Sequence, residues 1–141
     1  MKIEQQTRYD MAKIFVNNRD ELVTFESSLV ALVKANGNYC SVYYINKREI
    51  LLTVSISDIE QKLKKNNNEM DLFVKVGRSF IINQRYVHRI DLQRQLLILS
   101  NGEMADKDFV IRISKGLLKQ YKNAIVKSIK IINERKQNKK Q

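Results

Sequence analysis

Apolar residues occur along this chain in short runs cut by polar clusters. Ile14-Phe15-Val16, then Asn17-Asn18-Arg19-Asp20, then Leu22-Val23-Thr24-Phe25 reads as strand, turn, strand. Leu29 to Lys34 is an apolar run broken by Asn36-Gly37-Asn38, and Tyr39 to Ile45 resumes it with aromatic and β-branched residues. Asn46-Lys47-Arg48-Glu49 marks a turn into a strand from Ile50 to Val54. Further on, Phe73 to Ile82 and Val87 to Leu92 each have strand character. Gln93-Arg94-Gln95 then turns the chain into the strongly apolar Leu96 to Leu99. Asn101-Gly102 is the best two-residue hairpin signal, because both residue types tolerate the positive φ of a type I′ turn. Phe109 to Ile113 is the last strand.

Two segments break this rhythm. Ser57-Asp58-Ile59-Glu60 has the form of a capping box, and Ile56, Ile59 and Leu63 follow helical spacing until Lys64-Lys65-Asn66-Asn67-Asn68, read as a solvated loop. Ser114 can cap a second helix whose Leu117, Leu118, Tyr121, Ile125 and Ile129 share one face, with lysines on the other. The closing ERKQNKKQ is polar and expected to fray. Eight to ten short strands with turns between them, and no long helices alternating with them, predict a mostly β core of antiparallel hairpins.

Composition bounds the setting. A chain of 141 residues suits one domain, and one cysteine, Cys40, allows no internal disulfide. The polar MKIEQQTRYDMAK start lacks the apolar stretch of a signal peptide. No apolar run approaches the roughly 18 residues of a membrane span. The expectation is a cytoplasmic protein with no membrane contact.

Charge changes the picture more. The formal net charge is +11, an excess that repels itself in a compact fold and suits a polyanionic partner. Residues 111–141 hold ten Lys/Arg against the single acid Glu134, which is +9 of the total. A second cationic stretch, KVGRSFIINQRYVHRI, carries Lys75, Arg78, Arg85 and Arg89 with no acid between Asp71 and Asp91. Zoned charge of this kind is the footprint expected of a nucleic-acid binder.

Enzyme chemistry has little to stand on. Phosphate-binding and dinucleotide-binding glycine motifs are missing, as are C-x-x-C and H-E-x-x-H, and one His with one Cys cannot build a zinc site. A Cys40–His88 nucleophile–base pair is outweighed by the plain reading of Cys40 as a strand residue and His88 as part of a cationic stretch. No cofactor and no catalysis are expected. What remains is three similar segments that mix amide, hydroxyl and cationic side chains. They are Lys34-Ala35-Asn36-Gly37-Asn38-Tyr39, Lys75-Val76-Gly77-Arg78-Ser79, and Ser114-Lys115-Gly116 with Lys119 and Lys122 on the following turns. Along one edge they would form a ridge of donors. Arg forks match phosphate or guanine, Asn can read adenine, and a helix start suits a phosphate.

The order LVKANGNYCSVYY, SISDIEQKL, FVKVGRSFIIN, HRID, LLILSNG, IRIS closely resembles the LytTR domain, a DNA-binding module of bacterial transcription regulators. The resemblance covers roughly residues 15 to 122, with a lead-in at 1–14 and a basic helical extension and tail at 123–141. Its most specific part is Arg78-Ser79-Phe80-Ile81-Ile82-Asn83, like the family's R-S-[FY]-x-[VI]-N, supported by A-x-x-N-Y at Ala35 to Tyr39. The resemblance implies an elongated stack of small antiparallel sheets with one short helix and a C-terminal helix. It implies a sequence-specific regulator that places loops, not a recognition helix, in successive major grooves of double-stranded DNA.

Carried over by position, the contacts implied are Asn38, Tyr39 and Cys40, then Arg78, then Lys115 and Gly116. With the flanking polar and cationic residues the expected DNA-binding set adds Lys34, Asn36, Lys75, Lys119 and Lys122. Asn83 is expected to tie down a strand end. Three departures stand out: Gly77 where the family often has His, Arg112 in place of a proline, and a long connection from Asn101-Gly102 to Phe109. About fourteen residues precede the resemblance, too few for the receiver domain most members carry, so control by such a domain in cis is not expected of this chain. A rival reading from another class is a protein-interaction module whose amphipathic C-terminal helix docks a partner or forms a homodimer on repeated half-sites.

Overall fold

In the computed structural model, residues 13–66, 72–102 and 108–139 are described. Among these residues ten strands form three antiparallel sheets. The first is the hairpin β1 (Lys13–Asn17) and β2 (Leu22–Glu26). The second has five strands: β3 (Val30–Asn36), β4 (Tyr39–Tyr44), β5 (Glu49–Leu52), β6 (Phe73–Val76) and β7 (Phe80–Asn83), in the spatial order β5-β4-β3-β7-β6. The third is β8 (Val87–Asp91), β9 (Leu96–Leu99) and β10 (Phe109–Arg112), with β9 in the middle. Helix α1 (Ile56–Asn66) links β5 to β6, and α2 (Lys115–Lys139) follows β10.

The five-stranded sheet separates two cores. On one face Val30, Val33, Cys40, Val42, Tyr44 and Ile81 pack with Ile14, Val16 and Phe25 of the first hairpin and with Ile56, Ile59 and Leu63 of α1. On the other face Ala31, Leu32, Val76 and Ile82 pack with Leu97 and Leu99 of the third sheet and with Leu118 and Tyr121 of α2. β3 therefore buries side chains on both faces, which is why its VALV run is apolar without alternation. A register shift against β4 between Val30 and Leu32 lets two consecutive residues, Ala31 and Leu32, share the second core.

Most expected elements are present, with three corrections. Phe73 to Ile82 is two strands, not one: Gly77-Arg78-Ser79 folds it into a hairpin in which Val76 pairs Phe80. Helix α1 starts earlier than the expected cap: Ser55 Oγ, not Ser57, accepts the Asp58 N–H at 3.2 Å, and Glu60 turns to Lys64 and Lys75. Asn101-Gly102 is not a type I′ turn, because only Gly102 takes a positive φ of 83°. The backbone of α2 runs to Lys139. From residue 126 onward, the side chains described on α2 are exposed. No helix among the described residues is long and apolar enough to cross a membrane.

Asn83 fastens one end of the sheet. It is fully buried, its Nδ2 donates to the Val30 carbonyl at 2.8 Å, and its Oδ1 accepts the Arg85 N–H at 3.0 Å. Nearby, the Tyr86 hydroxyl donates to the Ser28 carbonyl at 2.5 Å, tying the start of the third sheet to the segment before β3. Asn83→Ala leaves the buried Val30 carbonyl without this donor, while the part-buried Arg85 N–H can turn to water, so it should cost about 1–3 kcal/mol. Urea unfolding should show a lower midpoint with an unchanged slope; a midpoint equal to the native one would refute the fastening role.

Candidate nucleic-acid interface

Antiparallel register decides which loops meet. β3 ends and β4 begins at the Asn36–Tyr39 pair, and β3 pairs β7 up to Lys34–Phe80. The Gly37-Asn38 turn and the Gly77-Arg78-Ser79 turn therefore lie at the same end of the five-stranded sheet. A backbone bond locks them together: the Ala35 N–H donates to the Ser79 carbonyl at 2.8 Å. In the first turn Gly37 takes φ +64° and Asn38 stays out of the left-handed region, the pattern of a hairpin led by glycine. In the second, Gly77 takes φ +62°, and a Cβ added there would stand 2.9 Å from Leu117 Cδ1 of α2. The start of α2 is thus seated on the turn that carries Arg78. Ser114 holds the N-cap position, its carbonyl accepting the Leu118 N–H at 3.0 Å.

The third sheet adds a neighbour. The Ile113 N–H donates to the Gln95 carbonyl at 3.2 Å, so the β8–β9 turn abuts the start of α2. This brings Arg94 close to the same rim, with 78% of its side chain exposed and Asp91 3.9 Å away. Arg112, exposed, ends β10 two residues before the helix cap. In the sequence Arg94 is only a turn residue, and Arg112 stands out only as a departure from the family's proline. The signal was the juxtaposition of a turn with a strand end, which only the pairing of β9 with β10 reveals.

The expected site residues divide accordingly. Lys34, Asn36, Asn38, Tyr39, Arg78, Lys115, Gly116, Lys119 and Lys122 are exposed. Among the described residues none of the four lysines at 34, 115, 119 and 122, nor Arg78, has an ion-pair partner. Two expectations need correcting. Cys40 is fully buried between Ala35 and Leu52 in the first core, and strand alternation points it there with Val42 and Tyr44, so its side chain reaches no surface. Burial, and secondarily the Asp58 carboxylate, pushes its thiol up to about 11, the behaviour of an inert structural cysteine. Lys75 pairs with Ile81, a first-core residue, and its ammonium lies 3.9 Å from Glu60 of α1. It does not share the face of Lys34.

The cationic stretch is also dispersed. Arg85 follows Asn83 at the opposite end of β7 from Arg78, and His88 and Arg89 are exposed on β8, an edge strand. Only Arg78 of the four cations sits in the rim turn. No group of acidic, Cys or His side chains among the described residues could hold a metal ion.

The model of the LytTr DNA-binding domain family matches residues 20–126. A search of curated proteins finds no match. Among solved structures, the LytTr DNA-binding domain of a protein described as a methyl-accepting/DNA response regulator from Bacillus cereus is similar. Its TM-score is 0.55 at 16% identity, covering 81% of this chain and 96% of that one. At that identity the likeness speaks for the fold.

Gly77→Ala tests how the rim is assembled. A left-handed φ strains any residue with a Cβ, and Leu117 would have to yield, so a loss of about 1 kcal/mol or more is expected. Thermal melting should show the lower midpoint; an unshifted melt would mean that the turn relaxes freely without α2.

Proposed function

The chain belongs to the LytTR family of DNA-binding domains, and we propose that it is a sequence-specific transcription regulator that reads duplex DNA through the loops of this rim. The observation that carries the proposal is the convergence of the Gly37-Asn38 turn, the Arg78 turn and the start of α2 at one end of the five-stranded sheet. Paired surface charges gain little from each other. Cations without carboxylate partners keep their full attraction for phosphate, and each one engaged releases a counterion.

The roles follow from side-chain chemistry. Arg78 on its tight turn offers a planar fork for guanine O6 and N7 or for a phosphate. Asn36, Asn38 and Tyr39 face outward from the neighbouring turn. Lys115 and Gly116 sit where the first backbone N–H groups of α2 have no intrahelical acceptor, a favourable place for a phosphate. Lys119 and Lys122 continue the charge along the next turns, with Lys34 on the sheet beside them and Arg94 and Arg112 at the margin. Such a protein works in the cytoplasm on double-stranded DNA and carries no chemistry of its own. A second reading, a docking or self-pairing face on the outer part of α2, is favoured by Val126, Ile129 and Ile131, which are exposed by 41%, 51% and 41%.

Arg78→Ala should weaken specific binding by about 1–3 kcal/mol with the melting point unchanged. A gel-shift series showing native affinity would remove Arg78 from the interface. Replacing Lys119, Lys122 and Lys127 together by Gln should flatten the dependence of log K on log salt for any duplex. With about six phosphate contacts the native protein should lose affinity on the order of 10³-fold between 50 and 200 mM salt. The same slope in the triple variant would mean that this helix face stays clear of DNA.

A further inference from the structure

A polar chain crosses the sheet behind the rim. Ser41 is one of three buried polar or charged residues among those described, with Ser27 and Asn83. A buried hydroxyl needs partners, and both partners of Ser41 are exposed side chains. Asn36 Nδ2 donates to Ser41 Oγ at 3.2 Å, and Ser41 Oγ donates to Glu49 Oε1 at 2.8 Å. The strand pairing explains the geometry. Asn36 faces Tyr39, Ser41 faces Leu51, and Tyr43 faces Glu49, so the three residues lie on one diagonal of one face across β3, β4 and β5.

The direction of this chain is dictated by its far end. A carboxylate can only accept. The single hydroxyl hydrogen of Ser41 is therefore committed to Glu49, and Ser41 can offer Asn36 nothing but a lone pair. Asn36 must then turn its NH₂ inward. An asparagine amide is otherwise free to present either end, since its oxygen and nitrogen are nearly isosteric. Here the inward donor leaves Oδ1 and one N–H for the outside, and Oδ1 has no partner among the described residues.

We propose that Glu49, acting through Ser41, fixes the Asn36 amide with its oxygen outward and thereby makes the first rim turn select adenine. Adenine's major-groove edge offers an N6 donor and an N7 acceptor, which meet the free Oδ1 and the remaining N–H. Guanine offers acceptors at both positions and meets the oxygen head-on. Glu49 and Ser41 are positioning residues that need touch no DNA. The inference rests on the proposed DNA reading of the rim and adds the base it selects there.

The test compares native protein with Asn36→Ala, Ser41→Ala and Glu49→Gln by selection of bound duplexes from a randomised pool. Binding to an unselected random duplex and the melting point serve as controls. Native protein should enrich adenine at one position about tenfold or more over guanine, and Asn36→Ala should erase that position alone. Glu49→Gln introduces an amide that can donate to Ser41, so the chain can run either way. Adenine preference there should fall to about twofold or less with the other positions kept, and random-duplex binding should be no weaker. Ser41→Ala should do the same by leaving Asn36 free to turn. Glu49 is exposed, so its variant answers the question even if loss of the buried hydroxyl unfolds the protein. Native adenine preference in the Glu49→Gln protein overturns the inference, as does another base at the position that Asn36 controls, or no position under its control. Failure of the native protein to enrich any sequence instead overturns the DNA reading, and this inference with it.

Discussion

Burial of β3 on both of its faces is the constraint from which the rest of the architecture follows. A strand that packs only one side needs one covering layer; Val30 and Val33 on one face and Ala31 and Leu32 on the other need two. The first hairpin with α1 supplies one layer, and the third sheet with α2 supplies the other. β3 is central and both of its neighbours, β4 and β7, run antiparallel to it, so the turns from which they start fall at the end where β3 finishes. The rim is thus a by-product of satisfying a doubly buried strand. Its loops are aimed by the ladder, with the Ala35–Ser79 bond as the last rung.

The layered antiparallel class was legible because each strand is short and bounded by polar residues. The strand parity that buries Cys40 was legible too, had alternation from Val42 and Tyr44 been followed one step back. The hairpin at Gly77 was not. Valine, lysine, valine, glycine, arginine, serine, phenylalanine keeps a strand-like composition straight through the turn, and nothing local says that glycine will take a left-handed conformation. That conformation is imposed by the pairing of Val76 with Phe80 and by Leu117 packed above the turn, which lies 40 residues further along the chain.

Electrostatic partners were the least legible part of the site. Lys75 meets Glu60 only because α1 folds over the first core, and Arg94 nears the rim only because β10 returns beside β9. Counting charges along the sequence sees neither. It groups Lys75, Arg78, Arg85 and Arg89 as one feature, whereas the fold sends them to different places. The asparagine-rich stretch before Tyr39 is a recognition candidate by composition, but the orientation of its Asn36 amide depends on a serine and a glutamate from two other strands. Such dependence is a property of the pairing register, which a one-residue slip would destroy.

Helix α2 leaves the body as a stiff rod. Its first turns are clamped by Leu117, Leu118 and Tyr121, and the stretch from Leu118 to Lys139 spans about 31 Å at the usual rise per residue. A rod of that reach, clamped at one end, works as a gauge, unlike a floppy tether whose span varies with each thermal fluctuation. While the helix holds, its length and its turn per residue set the distance and bearing of its outer end from the turn of Arg78. Lengthening α2 by one residue would swing that bearing by about 100° around the axis while adding only about 1.5 Å of reach.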